Sequence, residues 1–269
     1  MDYLQRFSLL HPVFPQNAHG NSFFETPGYE KLRRRFEILR QEPGLGVLVA
    51  DVGVGKTSAI RNLLSTLPRP DYATLYLCDT AVSPLDLYRQ MAVDLGVTPS
   101  HRRAQLWVDL KATMTHMVDE QNVQPVLILD EAQQLSERFL TDLGGFLNFA
   151  MDSRNLLCLW LVGQPQLLSL LRMKRHAALA SRVAARVYLE PLSQREDFMA
   201  FLHHGLQAAG ATSNIILDNA VEMLFRISRG VPRQAARLIR EALIAAHEQN
   251  KSFVDDAVIE TVLDEEQLG

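Results

Sequence analysis

The chain has 269 residues, 47% hydrophobic and 22% charged, the balance of an ordinary globular protein long enough for one large or two modest domains. Its longest apolar stretch, 156–163, falls far short of the roughly 18 residues of a membrane span, and the start, MDYLQRFSLLHPVF, lacks the features of a secretion signal; a cytoplasmic protein with no membrane partner is expected. The net charge of −4 excludes nothing about nucleic acid, because residues 253–269 hold six acids and no bases while 166–189 hold five bases and no acids.

Short, branched apolar runs recur at 46–50, 73–78, 126–129, 156–162 and 187–189, most of them separated by segments of helical spacing. That alternation predicts an α/β fold with a parallel sheet covered on both faces. After Pro191 the pattern changes: 194–209, 217–229, 231–248 and 254–264 read as amphipathic helices punctuated by Gly210, Gly230 and Pro232. The expected domains are an N-terminal extension (1–25), a nucleotide-binding α/β domain (26–190) and a small helical domain (191–269). Cys78 and Cys158 fall inside apolar runs with no CxxC spacing and are read as buried, reduced thiols.

The first apolar run leads into Asp51-Val52-Gly53-Val54-Gly55-Lys56-Thr57-Ser58. This is the phosphate-loop pattern GxxxxGK[ST] with Ala50 in place of its first glycine. Gly53 and Gly55 let the backbone aim N–H groups at an anion, and the helix starting near Lys56 adds its positive end. Lys56 suits the β- and γ-phosphates, and Thr57 offers its hydroxyl to Mg²⁺. Ala50 is small enough for the loop entry unless that position needs a positive φ.

The third run, Val126 to Leu129, ends in Asp130-Glu131. Ligands of open α/β sheets sit at the carboxyl ends of strands, so acids there point at the site. Asp130 can hold Mg²⁺, and Glu131 can orient and deprotonate the attacking water. The fourth run ends in Gly163-Gln164, where the amide can bond the γ-phosphate or the water, or can simply open the Gln-Pro turn.

With these motifs in hand, the chain resembles the AAA+ ATPases: a P-loop αβα sandwich followed by a helical lid. More narrowly it resembles the branch that contains the secretion ATPase ExeA/GspA and the transposition regulators TnsC, TniB and MuB. The resemblance is carried by FFETPGYEKL, ADVGVGKTSAIRNLL, VLILDEAQQL, LWLVGQPQLLSLL, ALASRVAARVYLEPLS and SRGVPRQAARLIREAL. It implies that Gln164 is sensor 1, that Arg182 is an arginine finger acting on a neighbouring subunit's nucleotide, and that Arg233 is sensor 2. Arg186, four residues on, can share or replace the role of Arg182. ATP and Mg²⁺ are the implied ligands; no [NT]KxD guanine-reading string occurs.

The branch implies two jobs. The favoured one is a regulator of DNA transposition that oligomerises on duplex DNA, as a ring or helical filament, in the ATP state and recruits a transposase with a target-selection protein. The alternative is an ATPase powering assembly of an envelope secretion machine; the absence of a membrane helix and a peptidoglycan-binding extension before the end at Gly269 weighs toward the first. DNA contacts, to phosphates and without sequence preference, are expected from Arg102, Arg103, Lys111 and Thr113. His203-His204 has no metal-ligand spacing, and Trp107 and Trp160 are read as packing residues.

Overall fold

The computed structural model describes residues 3–15 and 22–268, leaving part of the expected N-terminal extension and the final Gly269 outside. The chain divides into two compact units. A sheet unit comprises Pro27–Asp51 and Leu63–Leu189, and a helical unit comprises Met1–Thr26, Val52–Asn62 and Glu190–Gly269.

The strands of the sheet unit are β1 (Leu45–Ala50), β2 (Tyr72–Leu77), β3 (Gln124–Leu129), β4 (Cys158–Gly163) and β5 (Val183–Leu189). All pairings are parallel, in the order β2-β3-β4-β1-β5. Every residue of β1 and β4 is buried, whereas β5, at the edge, alternates between buried and exposed. Strands covered on both faces read as continuous apolar runs, and an edge strand does not. That difference accounts for the boundary error at β5, which begins at Val183, four residues ahead of the expected start, because Ala184 and Arg186 face outward.

The helices of this unit are α2 (Pro27–Gln41), α4 (Pro84–Asp94), α5 (Arg103–Asp119), α6 (Glu137–Phe146), α7 (Gln166–Leu171) and α8 (Ala177–Ala180). Helix α2 packs on β1 and β5, α4 on β2, and α5 on β3. One face of the sheet, including Val47, Val49, Leu127, Leu129, Leu159 and Leu161, joins a single core with Tyr88, Leu110, Phe139 and Phe146. Trp107 and Trp160 do pack: Trp107 meets Tyr88 and Phe146 edge to face, and Trp160 is fully buried and stacked on Phe36 at 5.9 Å. Cys158 is buried, and its thiol is pushed up to about 12 by desolvation. Cys78 corrects the expectation: it is exposed, one residue past the end of β2, where the apolar run has left the sheet.

In the helical unit, α9 (Arg195–Ala208), α10 (Asp218–Ser228), α11 (Pro232–Glu248) and α12 (Asp256–Leu268) follow the expected helices within a few residues. Their apolar faces meet in a second core that includes Phe198, Leu202, Leu224, Leu238 and Leu243, with Phe7, Leu9 and Val13 from the N-terminal segment that follows α1 (Tyr3–Arg6). That segment is bound to α9 by Leu10 N–H donating to the Ala209 carbonyl at 2.8 Å and by Phe14 stacked on Phe201 at 4.1 Å. Helix α3 (Lys56–Ser65) begins in this unit and ends in the sheet unit. Among the described residues, no helix is long and apolar enough to cross a membrane.

Gly46 shows how tightly the sheet is covered. A Cβ there would stand 2.6 Å from the Trp160 ring, inside any real contact distance. Gly46→Ala is expected to cost roughly 1–3 kcal/mol of overpacking and to lower Tm by about 5 °C in a circular dichroism melt. An unchanged Tm would mean that Trp160 moves aside without loss.

Candidate functional site

Strand order places the chemistry within the sheet unit. The connection leaving β1 runs toward β2 and the one leaving β4 runs toward β5, in opposite directions from two adjacent strands. Such a reversal opens a crevice beyond the carboxyl ends. Asp51, Asp130 and Gln164 each follow the last residue of β1, β3 or β4, so all three arrive at that edge.

Asp130 is almost fully buried, at 2% exposure. Its Oδ2 accepts from the Tyr76 hydroxyl at 2.7 Å, and its Oδ1 accepts the Glu131 N–H at 2.8 Å. A hard carboxylate fixed through both oxygens is a suitable donor for Mg²⁺. Glu131 has a left-handed backbone (φ 52°, ψ 36°), unusual for a residue with a side chain. The turn is held by Thr80, whose Oγ1 donates to the Glu131 carbonyl at 2.9 Å, and by Gln134 N–H donating to the same oxygen at 2.9 Å. It directs the Glu131 carboxylate toward Gln164, whose Nε2 lies 3.5 Å from Glu131 Oε2. Of the sequence-predicted residues, then, Asp130, Glu131 and Gln164 come together.

Three participants were not foreseen: Tyr76, Thr80 and Gln133. Gln133 Nε2 donates to Glu131 Oε2 at 2.6 Å. Only the ladder register, which pairs Tyr76 with Ile128, brings β2 beside the acids, and no spacing rule in the sequence marks it.

The phosphate loop lies in the helical unit. Gly53 and Gly55 have φ of 84° and 109°, the conformation that disfavours any side chain, while a Cβ on Gly55 would meet nothing within 4 Å. Backbone angle alone therefore requires glycine at 55. Ala50 ends β1 in ordinary backbone and is not among the positive-φ residues, so the substitution of the pattern's first glycine carries no strain. Lys56 is buried at 7% exposure and opens α3, with Thr57 and Ser58 half-buried in its first turn. Val52 is exposed and Val54 buried.

The same unit brings Arg233 to this loop. Helix α10 ends in a left-handed Arg229 (φ 51°), Gly230 follows at φ 68°, and Pro232 opens α11. Gly230 cannot carry a side chain, since a Cβ would fall 2.0 Å from the Leu192 carbonyl oxygen. The turn sets the Arg233 N–H to donate to the Gly53 carbonyl at 3.1 Å, with the Arg233 side chain exposed.

Arg182 sits elsewhere, at the start of β5 and therefore at the opposite, amino-terminal edge of the sheet. A cavity of about 500 Å³ opens there, lined by Leu45, Leu157, Ser181 and Arg182 among others. Arg186 lies midway along β5 and faces outward.

The residues expected to touch DNA lie on or beside α5, and two of its cations are turned onto the protein. Arg103 pairs with Asp142 at 2.7 Å and stacks over Trp107 at 4.7 Å. Lys111 donates to the Asn148 carbonyl at 2.7 Å and lies over the Phe149 ring; burial holds its ammonium below the ordinary lysine value. Thr113 donates back to the Asp109 carbonyl at 2.8 Å, and Arg102 is exposed.

Comparison with known proteins agrees with the fold. Residues 39–171 match the family model described as an AAA domain. General secretion pathway protein A of Aeromonas hydrophila is 30% identical over 247 residues; the match covers 91% of this chain and 45% of that protein, so the chain spans less than half of its relative's length. Among solved structures, Cdc6p from Pyrobaculum aerophilum aligns with a TM-score of 0.67 at 16% identity, covering 90% of this chain and 67% of that one. The Aeropyrum pernix ORC1 protein in complex with DNA aligns with a TM-score of 0.66 at 16% identity, covering 90% and 66%. The chain thus has the AAA+ P-loop ATPase fold.

The Tyr76 contact is open to test. Removing its hydroxyl leaves Asp130 Oδ2 without that donor, and the loss of such a partner typically weakens metal binding 10–100-fold. Tyr76→Phe is expected to raise about tenfold the Mg²⁺ concentration that half-saturates nucleotide binding, measured by titration with a fluorescent ATP analogue. An unchanged requirement would show that the hydroxyl does not orient Asp130.

Proposed function

We propose that the protein binds and hydrolyses ATP with Mg²⁺ and works as an oligomer whose assembly is governed by the nucleotide. One observation carries the ATPase reading: a strand edge ends in a buried, doubly hydrogen-bonded Asp130 and an oriented Glu131, in a chain whose first strand runs into a glycine-shaped loop and a buried Lys56. On this reading Asp51 to Ser58 wrap the phosphates, with N–H groups of the loop and the start of α3 facing the anion. Lys56 neutralises charge on the β- and γ-phosphates, and Arg233 reaches the nucleotide from α11. Thr57 and Asp130 hold Mg²⁺, which offsets phosphate charge. Glu131 takes the proton of the attacking water, and Gln164 positions that water.

The place of Arg182 supports an oligomer. Seven residues of β5 at about 3.3 Å each put it roughly 20 Å from the carboxyl edge of its own sheet. A guanidinium so placed is suited to another subunit's nucleotide, where such a group is worth about 10³–10⁵ in rate.

The cellular role rests on resemblance. We favour ATP-dependent assembly on duplex DNA and regulation of transposition, with a transposase and a target-selection protein as partners. The likeness to an AAA+ protein solved with DNA supports the DNA part by analogy of fold. The second reading, service to a secretion machine, is supported by the 30% identity with general secretion pathway protein A. Because this chain matches less than half of that relative, where it ends does not choose between the two. The engagement of Arg103 and Lys111 with their own fold leaves Arg102 as the better DNA candidate on that face.

Lys56→Ala is expected to abolish ATP binding. Glu131→Gln should retain binding, lower hydrolysis at least a hundredfold and lengthen the life of the assembled state. Wild-type turnover in Glu131→Gln would remove the assigned base. Electron micrographs with duplex DNA decide the role: coating that needs a nonhydrolysable ATP analogue supports the DNA regulator, and bare DNA in its presence overturns it.

A further inference from the structure

Glu131 is aimed by its backbone, but a glutamate side chain still has three rotatable bonds with which to leave that aim. Gln133, in the single turn of 3₁₀ helix after β3 (Ala132–Gln134), closes this freedom from both ends. Its Nε2 donates to Glu131 Oε2 at 2.6 Å, and its Oε1 accepts the backbone N–H of Gln164 at 3.0 Å. The amide can be oriented only one way: reversed, it would set a carbonyl against a carboxylate and an NH₂ against an N–H. The same carboxylate oxygen is 3.5 Å from Gln164 Nε2. Both amide contacts therefore fall on Oε2, and neither falls on Oε1.

Room for this bridge is made by Gly163, the last residue of β4. A Cβ there would stand 2.6 Å from Gln133 Oε1 and 3.3 Å from the Gln133 backbone nitrogen. Gly163 has no positive φ, so glycine is needed for space and not for backbone conformation. The fold thus keeps a side chain out of β4 at the one point where it would displace the Gln133 amide.

We propose that Gln133 is a positioning residue for hydrolysis, locking the Glu131 carboxylate and tying it to the backbone of Gln164 so that the end of β4 and the base move as one. This rests on the ATPase reading above, with Glu131 as base. Gln133 acts through Glu131 and need not touch the nucleotide, so its loss should lower kcat and spare ATP affinity.

The test measures kcat, KM and the dissociation constant of a nonhydrolysable ATP analogue for the full chain and for Gln133→Ala, Gln133→Asn, Gly163→Ala, Glu131→Gln and the double variant Gln133→Ala/Glu131→Gln. Expected are a fall in kcat of about 10–100-fold in Gln133→Ala, the range typical of losing such a supporting bond, with analogue affinity within twofold of wild type, and a similar fall in Gly163→Ala. The double variant should be no slower than Glu131→Gln alone, because the two residues act as a unit. If Gln133→Ala fails to fold, Gln133→Asn, too short to span both partners, and Gly163→Ala are judged by the same criteria. Wild-type kcat in the folded Gln133 variants, or a loss of affinity and Tm that matches the loss of kcat, overturns the inference while leaving the ATPase reading intact. A Glu131→Gln protein that turns over at the wild-type rate instead sinks that reading, and the inference falls with it.

Discussion

Parallel pairing of β3, β4 and β1 constrains everything else in the sheet unit. Strands side by side and pointing the same way must end on the same edge, so Asp51, Asp130 and Gln164 arrive there through covalent continuity with β1, β3 and β4. No binding energy has to be spent collecting them. The cost lies in the core, where the central strands must be apolar on both faces, and Leu127, Leu129, Leu159 and Leu161 meet it with none of them exposed. The abrupt change from Leu129 to Asp130 is thus the point at which the chain leaves the core and a charged group becomes tolerable.

Tolerable still means satisfied. Asp130 remains buried, and an ionised carboxylate there needs partners on both oxygens. One comes from a neighbouring strand through Tyr76 and the other from the next peptide through Glu131 N–H. The second contact accompanies the left-handed turn of Glu131, a conformation costing of the order of 1–3 kcal/mol that persists only where surroundings over-determine it. Thr80, Gln134 and Gln133 supply that over-determination. Satisfying the buried aspartate and aiming the glutamate are one piece of local structure.

The sequence made the parts with local signals legible. The buried strands β1, β3 and β4 show as apolar runs, helices α9 to α12 show through their spacing, and Gly53, Gly55 and the acids after Leu129 show as motifs. What stayed hidden depends on partners far along the chain. The start of β5 escaped because an edge strand alternates, and Cys78 was misjudged because an apolar run does not reveal where the sheet stops. Tyr76 and Asp130 are 54 residues apart, Lys111 and Asn148 are 37, and no local pattern announces either bond. Gln133 was hidden differently: it lies two residues from Glu131, but its role exists only once β4 carries Gly163 and Gln164 alongside.

The cations divide according to what faces them. Arg103 and Lys111 sit over aromatic rings with a carboxylate or carbonyl at hydrogen-bond distance, which replaces much of the hydration lost on partial burial and anchors α5 to α6 and to the segment just after it. A phosphate backbone competing for those groups would have to break that anchorage. Arg182 and Arg233 stand at structural breaks, one where the chain enters β5 and one just inside the start of α11. Backbone fixes both positions, the Arg182 N–H donating to the Leu179 carbonyl and the Arg233 N–H to the Gly53 carbonyl, each at 3.1 Å, so each guanidinium starts from a set point on the chain.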